Sequence, residues 1–311
     1  MNSNHLILAG GGHTHALLLL RWAMKPKLKP KCLITLISRK SSSLYSGMVP
    51  GLISGKYKWN ECLFNLDHLA RKAGVSFVRA EILSLNISNR IINLSNRPPI
   101  NFDQISLDVG SESRKLCFAN AEKFKNNPSL MFIKPLEDSL EWINKLDNKA
   151  NKLSSALTVV GSGLTAIEVA LALRERWPEK KIQLQSYDNK KIFKLKEALI
   201  NTKIKIIPPS EELAGPVLFC TGSTAPLWLE ESGLPVDSKR RVLTLNTFEV
   251  INHPYIFAVG DCGVIQNNPR PSSGVWAVKA AKPLAKNLLR SINGLPLLPW
   301  RPQGKAMQLV G

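Results

Sequence analysis

A chain of 311 residues, 44% of them hydrophobic, has room for two ordinary domains or for one inserted in another. Its 42 Lys and Arg against 23 Asp and Glu leave a formal charge of +19. That balance favours anionic partners (nucleotides, acidic membrane surfaces, acidic proteins or nucleic acid) without choosing among them.

The densest basic spots, Lys25 to Lys31 and Lys180 to Lys196, read as solvated loops and helix faces. No basic helix is interleaved with aromatics and there is no zinc-finger spacing, which argues against nucleic-acid recognition. Cys32, Cys62, Cys117, Cys220 and Cys262 form no Cys-x-x-Cys pair. They are expected to be buried free thiols in a reducing compartment.

In chain order, Leu6–Ala9 is a short apolar run of buried-strand type, followed by Gly10-Gly11-Gly12 and a helical stretch that Pro26 must end. Cys32–Ile37 reads as a second parallel strand, which completes a βαβ unit. The N-terminus lacks a basic region, the apolar stretch Ala16–Leu20 ends at Arg21, and nothing approaches the ~20 apolar residues of a membrane span. A cytoplasmic protein, at most peripheral to the inner face of a membrane, is expected. Val75–Arg79, Ile82–Ile87 and Arg90–Leu94 read as strands, Leu136–Leu146 as a helix and Asn148–Ser155 as a polar hinge.

A second copy of the opening motif follows. Leu157–Val160 leads into Gly161-Ser162-Gly163, then into a helical pattern through Ile167, Ala170, Leu171 and Leu173 that Pro178 closes, with Ile182–Gln185 as the next strand. Val217–Cys220, Val242–Leu245 and Ile256–Val259 are further strands, Gly274 to Ile292 is a long amphipathic helix, and a Pro-rich tail begins near Pro296. The expected class is α/β with two Rossmann-like dinucleotide-binding domains, the second inserted in the first. The expected segments are 1–112, a connector 113–152, 153–223 and 224–311.

The glycines have a physical purpose at such turns. A dinucleotide lays its phosphates against a helix N-terminus, where free N–H groups and the helix dipole stabilise negative charge. The first glycine permits the tight turn and the second lets backbone approach the pyrophosphate; Gly10 and Gly12 take these places, then Gly161 and Gly163. Strand-to-helix turns use glycine anyway, so either copy alone is weak, whereas two between buried strands and helices are not. The third position holds His15 in one copy and Ala166 in the other, and histidine is bulky where helix and strand should pack closely. Where an acidic residue would hold the adenosine ribose, the first copy has Ser38-Arg39; the second offers Asp188, either a selector of NADH over NADPH or a surface-turn aspartate. His13 and His15, two apart at a helix mouth without an acidic or thiol partner, do not read as a metal site.

With His13-Thr14-His15 after three glycines and Tyr45-Ser46-Gly47-Met48-Val49-Pro50-Gly51 downstream, the chain resembles a branch of the pyridine nucleotide-disulfide oxidoreductase superfamily. That branch is similar to type II NADH dehydrogenases and is often joined to selenide, water dikinase (selenophosphate synthetase). The branch itself carries His at the position of His15. Asp103–Ser111 resembles the strand ending the first FAD segment, Phe219–Gly222 the crossover back to the FAD domain, and Ile256–Asp261 the second FAD motif.

The resemblance implies FAD held by Gly10, Gly11, Gly12, His13, Thr14, Arg39, Pro50, Gly110, Gly260, Asp261, Gly274 and Val275. It implies NAD(P)H held by Gly161, Gly163, Thr165 and Asp188, a cofactor contact at Gly222 in the crossover back to the FAD domain, and Glu168 near the nicotinamide–flavin contact. A buried strand-end carboxylate such as Asp261 is costly unless hydrogen-bonded, and ribityl hydroxyls supply donors; a capping or turn aspartate is the alternative. A helix opening at Gly274 would favour the anionic reduced flavin.

Three departures qualify the resemblance. Paired redox cysteines are missing, only residues 186–216 separate the second strand of the nicotinamide domain from its return strand, and the chain stops soon after Arg301-Pro302-Gln303, where relatives continue. A reduced member or a fragment is expected. The function implied is an FAD-dependent NAD(P)H dehydrogenase, without a redox disulfide, that passes electrons to a quinone or other small acceptor. The alternative is an FAD-binding regulatory module partnering a selenophosphate-forming enzyme.

Overall fold

The computed structural model describes residues 4–113, 129–148, 156–186, 199 and 201–303. Asp188, Cys117 and most of the expected hinge lie outside the described residues. The strands of the two main sheets are β1 (His5–Ala9), β2 (Leu33–Ser38), β3 (Ser76–Arg79), β4 (Gln104–Leu107), β5 (Leu130–Phe132), β6 (Ala156–Val160), β7 (Lys181–Gln185), β8 (Lys205–Ile207), β9 (Val217–Phe219), β10 (Val242–Thr244), β11 (Glu249–Val250), β12 (His253–Ala258) and β13 (Gly263–Ile265). The helices are α1 (His13–Met24), α2 (Val49–Ser54), α3 (Leu66–Ala73), α4 (Leu136–Asn148), α5 (Leu164–Arg176), α6 (Leu227–Glu231) and α7 (Gly274–Ile292).

The chain divides into two compact units. One comprises 1–45, 63–111 and 224–307; the other comprises 46–62, 112–223 and 308–311. The first is built on an eight-stranded sheet in the order β13-β10-β11-β12-β4-β1-β2-β3. Its centre, β12, β4, β1, β2 and β3, is parallel throughout.

Strand alternation explains why both faces are covered. Leu6 and Leu8 of β1 point into one cluster with Leu18, Leu19 and Trp22 of α1 and Leu284 and Leu288 of α7. Ile7 and Ala9 point into the other, with Ile105, Leu107, Ile256 and Ala258. That second face is closed by an antiparallel sheet of 82–86, 91–94 and 97–101, which contributes Leu85, Ile92 and Leu94. Each such aliphatic side chain contributes about 1.5–3 kcal/mol by leaving water. Near-continuous apolar runs are what a parallel sheet covered on both faces requires.

The second unit carries a five-stranded, all-parallel sheet in the order β5-β9-β6-β7-β8. Every residue of β6 is buried. The Arg176 guanidinium closes the end of α5 by donating to the Ile53 carbonyl in α2 at 2.8 Å and to Asn144 Oδ1 in α4 at 2.8 Å, and by pairing with Asp147. Burial alone would raise the Asp147 carboxyl, but hydrogen bonds from Arg176 and Trp177 hold it below its ordinary range. Among the described residues no helix is long and apolar enough to cross a membrane.

Candidate functional site

The first turn is closed by backbone bonds across three strands. The Gly10 N–H donates to the Ile37 carbonyl at the end of β2 (2.8 Å), and the Gly12 N–H donates to the Asp108 carbonyl just past β4 (3.1 Å). The Asp108 N–H donates in turn to the Ala9 carbonyl at 2.8 Å. Gly10 lies at φ +99°, and a Cβ there would fall on the Asp108 backbone. A Cβ at Gly11 would strike the Leu66 side chain of α3, and one at Gly12 the Asp108 carboxyl group. Backbone packing therefore requires glycine at Gly10, and the Asp108 carboxyl leaves no room for a Cβ at Gly12.

His15 is fully buried, and its bulk fits because the ring crosses to β4. Nδ1 bonds the Gly10 carbonyl at 2.8 Å and Nε2 bonds Ser106 Oγ at 2.8 Å. With both nitrogens engaged, burial pushes the imidazole down to about 4, so it is neutral. The His13 ring takes a different direction, lying 5.4 Å from the Tyr45 ring and 5.9 Å from the Phe64 ring.

Asp108 is a buried residue of this turn that the glycine motif does not announce. Its side chain, 2% exposed, accepts the His15 N–H at 2.9 Å, and so caps α1 from the end of β4. Gly12, the helix's own N-cap, offers no side chain for this. Burial pushes the carboxyl from 3.8 up to about 6; the backbone N–H groups and His13 oppose the rise, and Asp261 adds to it. A Cβ at Gly260 would fall on the same carboxyl group. Asp108 thus brings together the first glycine turn and the Gly260-Asp261 turn, which also places Asp261 in hydrogen-bond contact with Ser111 Oγ at 2.8 Å. The available signal was the one used for Asp261: an aspartate ending an apolar strand.

The other expected residues of this unit are distributed as follows. The Thr14 hydroxyl donates to the Ala277 carbonyl of α7 at 3.0 Å, so it serves helix packing. Arg39 is exposed just beyond β2. Gly110 sits at φ +74° with no described atom within 4 Å of a Cβ position. Gly274 and Val275 open α7, capped by Ser273, whose Oγ accepts the Val275 N–H at 3.4 Å. Pro50 lies in α2, within the second unit.

The second turn repeats the first. The Gly161 N–H donates to the Gln185 carbonyl at the end of β7 (3.0 Å), and a Cβ at Gly161 would fall on the Cys220 carbonyl past β9. Gly163 and Thr165 are exposed, and no described atom lies within 4 Å of a Cβ at Gly163. Glu168 is half-buried on α5, and desolvation raises its carboxyl. Gly222 sits at φ +98°. Burial pushes the Cys220 thiol, and likewise Cys262, up to about 12, so neither is a ready nucleophile.

Two glycine turns closed by the same kind of backbone bond, each at the parallel strands of its own sheet, define an α/β protein with two Rossmann-like units, the FAD/NAD(P)-binding fold. No family model matches the chain. It is 24% identical to the alternative NAD(P)H-ubiquinone oxidoreductase C1, chloroplastic/mitochondrial, of Arabidopsis thaliana, over 89% of this chain and 65% of that protein. It is 22% identical to the NADH dehydrogenase-like protein YutJ of Bacillus subtilis, over 98% of this chain and 89% of that protein. Among solved structures, reduced CoADR-RHD of Bacillus anthracis superposes with a TM-score of 0.80 at 16% identity, covering 96% of this chain and 58% of that one. The chain therefore spans under two thirds of the plant protein and of the Bacillus anthracis structure.

Proposed function

We propose that the chain is an FAD-dependent NAD(P)H dehydrogenase that takes a hydride from the reduced nicotinamide and delivers electrons to a small acceptor. The observation that carries this is the duplicated turn: Gly10 N–H to Ile37 O, and Gly161 N–H to Gln185 O. Each leaves a helix N-terminus, with its orphan N–H groups, at the carboxyl end of a parallel sheet, where nucleotides bind.

The residues present fit the two nucleotides. In the first unit a diphosphate meets backbone of Gly11, Gly12 and His13, and Asp261 at the end of β12 offers a carboxylate to ribityl hydroxyls. Open space at Gly110 leaves room beside the turn. The Gly274–Val275 end of α7 presents positive dipole to a ring system. In the second unit Gly161, Gly163 and Thr165 hold the nicotinamide diphosphate, Gly222 and Glu168 border it, and Asp188 selects the ribose. Arg39, exposed just beyond β2, is the residue we assign to the adenosine end of FAD. FAD, when bound, supplies the redox chemistry. The protein supplies orientation, and no acid–base side chain is strictly needed.

A quinone is the acceptor we infer, on the strength of the plant relative's name. A selenophosphate-forming partner remains an expectation of the sequence motif.

The test is spectroscopic. Purified or FAD-reconstituted protein should hold flavin, NADH should bleach its visible absorbance under anaerobic conditions, and a soluble quinone should restore it. Flavin that stays oxidised with excess NADH and NADPH overturns the reading.

A further inference from the structure

We propose that Asp108 is a binding residue of the FAD site that works as a carboxylic acid: it carries a proton whenever a diphosphate lies against the first turn of α1, so cofactor loading takes up one proton. The inference rests on the FAD reading above and adds a residue and a protonation state to it.

The geometry carries the argument. The Asp108 carboxyl already occupies the positive end of α1, accepting the His15 N–H at 2.9 Å, with the Thr14 N–H adding to the field that favours its charged form. A diphosphate at the same turn brings more negative charge to the same helix end, in a site where a buried charge is poorly screened. The side chain cannot swing away, because Gly12 packs on it from α1 and Gly260 from the β12 side, both so closely that a Cβ would overlap it. A pinned carboxylate facing a second anion is relieved by a proton, not by movement.

The surrounding charges leave few other means of neutralisation. From α1, His13 faces it and favours its charged form, whereas the His15 ring is neutral and committed to Gly10 and Ser106. From the turn after β12 come Asp261, which worsens the repulsion, and the un-ionised Cys262 thiol. Burial has already raised the carboxyl to about 6, and the added anion must lift it by roughly two further units to hold the proton through neutral pH.

FAD-depleted full-length protein titrated calorimetrically with FAD near neutral pH, in phosphate and in Tris, gives the number of protons taken up without any turnover. The expected result is uptake approaching one proton per FAD. The affinity should weaken by up to about tenfold per pH unit from about pH 6 to about pH 8. Asp108→Asn should bind FAD with no uptake and a flat pH profile. His13→Gln and Asp261→Asn decide the case if the Asp108 variant fails to fold: uptake retained in both assigns the proton to Asp108, and uptake lost in either assigns it to that residue and overturns the proposal. Tight FAD binding by the wild type with no proton uptake also overturns it, leaving the FAD reading intact. Failure of the wild type to bind FAD at any pH overturns both.

Discussion

The Asp108 carboxylate accepts the backbone N–H of His15 at 2.9 Å, so a strand from the middle of the sheet caps the helix that follows the first glycine turn. The His15 ring makes the return connection, bonding Ser106 two residues upstream of Asp108. Together these bonds fasten α1 to β4 at both backbone and side chain. They hold the glycine turn in a fixed shape.

The ring's anchor gives a direct stability test. Ser106→Ala leaves His15 Nε2 buried without a partner, a loss expected to cost about 1–3 kcal/mol. Urea unfolding should show this as a lower midpoint. A midpoint unchanged from wild type would mean that the imidazole finds another partner and that the ring is not what fastens α1 to β4.

What the sequence made legible was local. The apolar run Leu6–Ala9, three glycines and a helix ending before Pro26 are signals within one stretch, and β1 and α1 formed where they were expected. The same holds for β6, α5 and α7. His15 read as a misfit because its partner lies 91 residues away on β4. Asp108 was passed over because its burial depends on Gly12 and Gly260 arriving from different parts of the chain. The short strand β8 carries only three residues, and its pairing with β7 is not encoded near it.

Opposed buried groups predict a hidden pH dependence in the flavin-free protein. His15 falls from 6.5 to about 4 on folding, so its contribution is fully present above 6.5 and is lost as pH falls toward 4. Asp108 rises from 3.8 to about 6, so the native state holds a proton that the unfolded chain has released. Stability is therefore lost as pH rises through that window. Each amounts to the order of 3 kcal/mol, and the two slopes nearly cancel between about pH 4 and 6. Asp108→Asn should therefore lose stability on acidification more steeply than wild type, and His15→Gln should lose it on going from about pH 4 to 6. Parallel denaturation curves for all three proteins across this range would refute the assignment.

Thiol chemistry offers a separate check. Cys220 and Cys262, both buried and pushed up to about 12, should resist a disulfide-exchange reagent in the native protein at mildly alkaline pH. Half-buried Cys32 should react ahead of them, and all five cysteines should react once the protein is denatured. Mass-spectrometric mapping of labelled peptides would settle the order. Rapid native labelling of Cys220 would instead show that its thiol is neither buried nor inert.

The two glycine turns should respond differently to the same substitution. Gly12→Ala drives a methyl group into the pinned Asp108 carboxyl, an overpacking expected to destabilise the first unit by about 1–3 kcal/mol and to release FAD. Gly163 has an extended backbone (φ −93°) that any residue can adopt, and its Cβ direction is open among the described residues. Gly163→Ala should therefore leave thermal stability within about 0.5 kcal/mol of wild type. If that open space is where the nicotinamide diphosphate lies, the methyl group intrudes on the ligand instead. NADH affinity should then fall roughly tenfold, equivalent to about 1.4 kcal/mol, while flavin content stays unchanged. A Gly163→Ala protein that binds and oxidises NADH like wild type would show that the second turn does not hold the nucleotide.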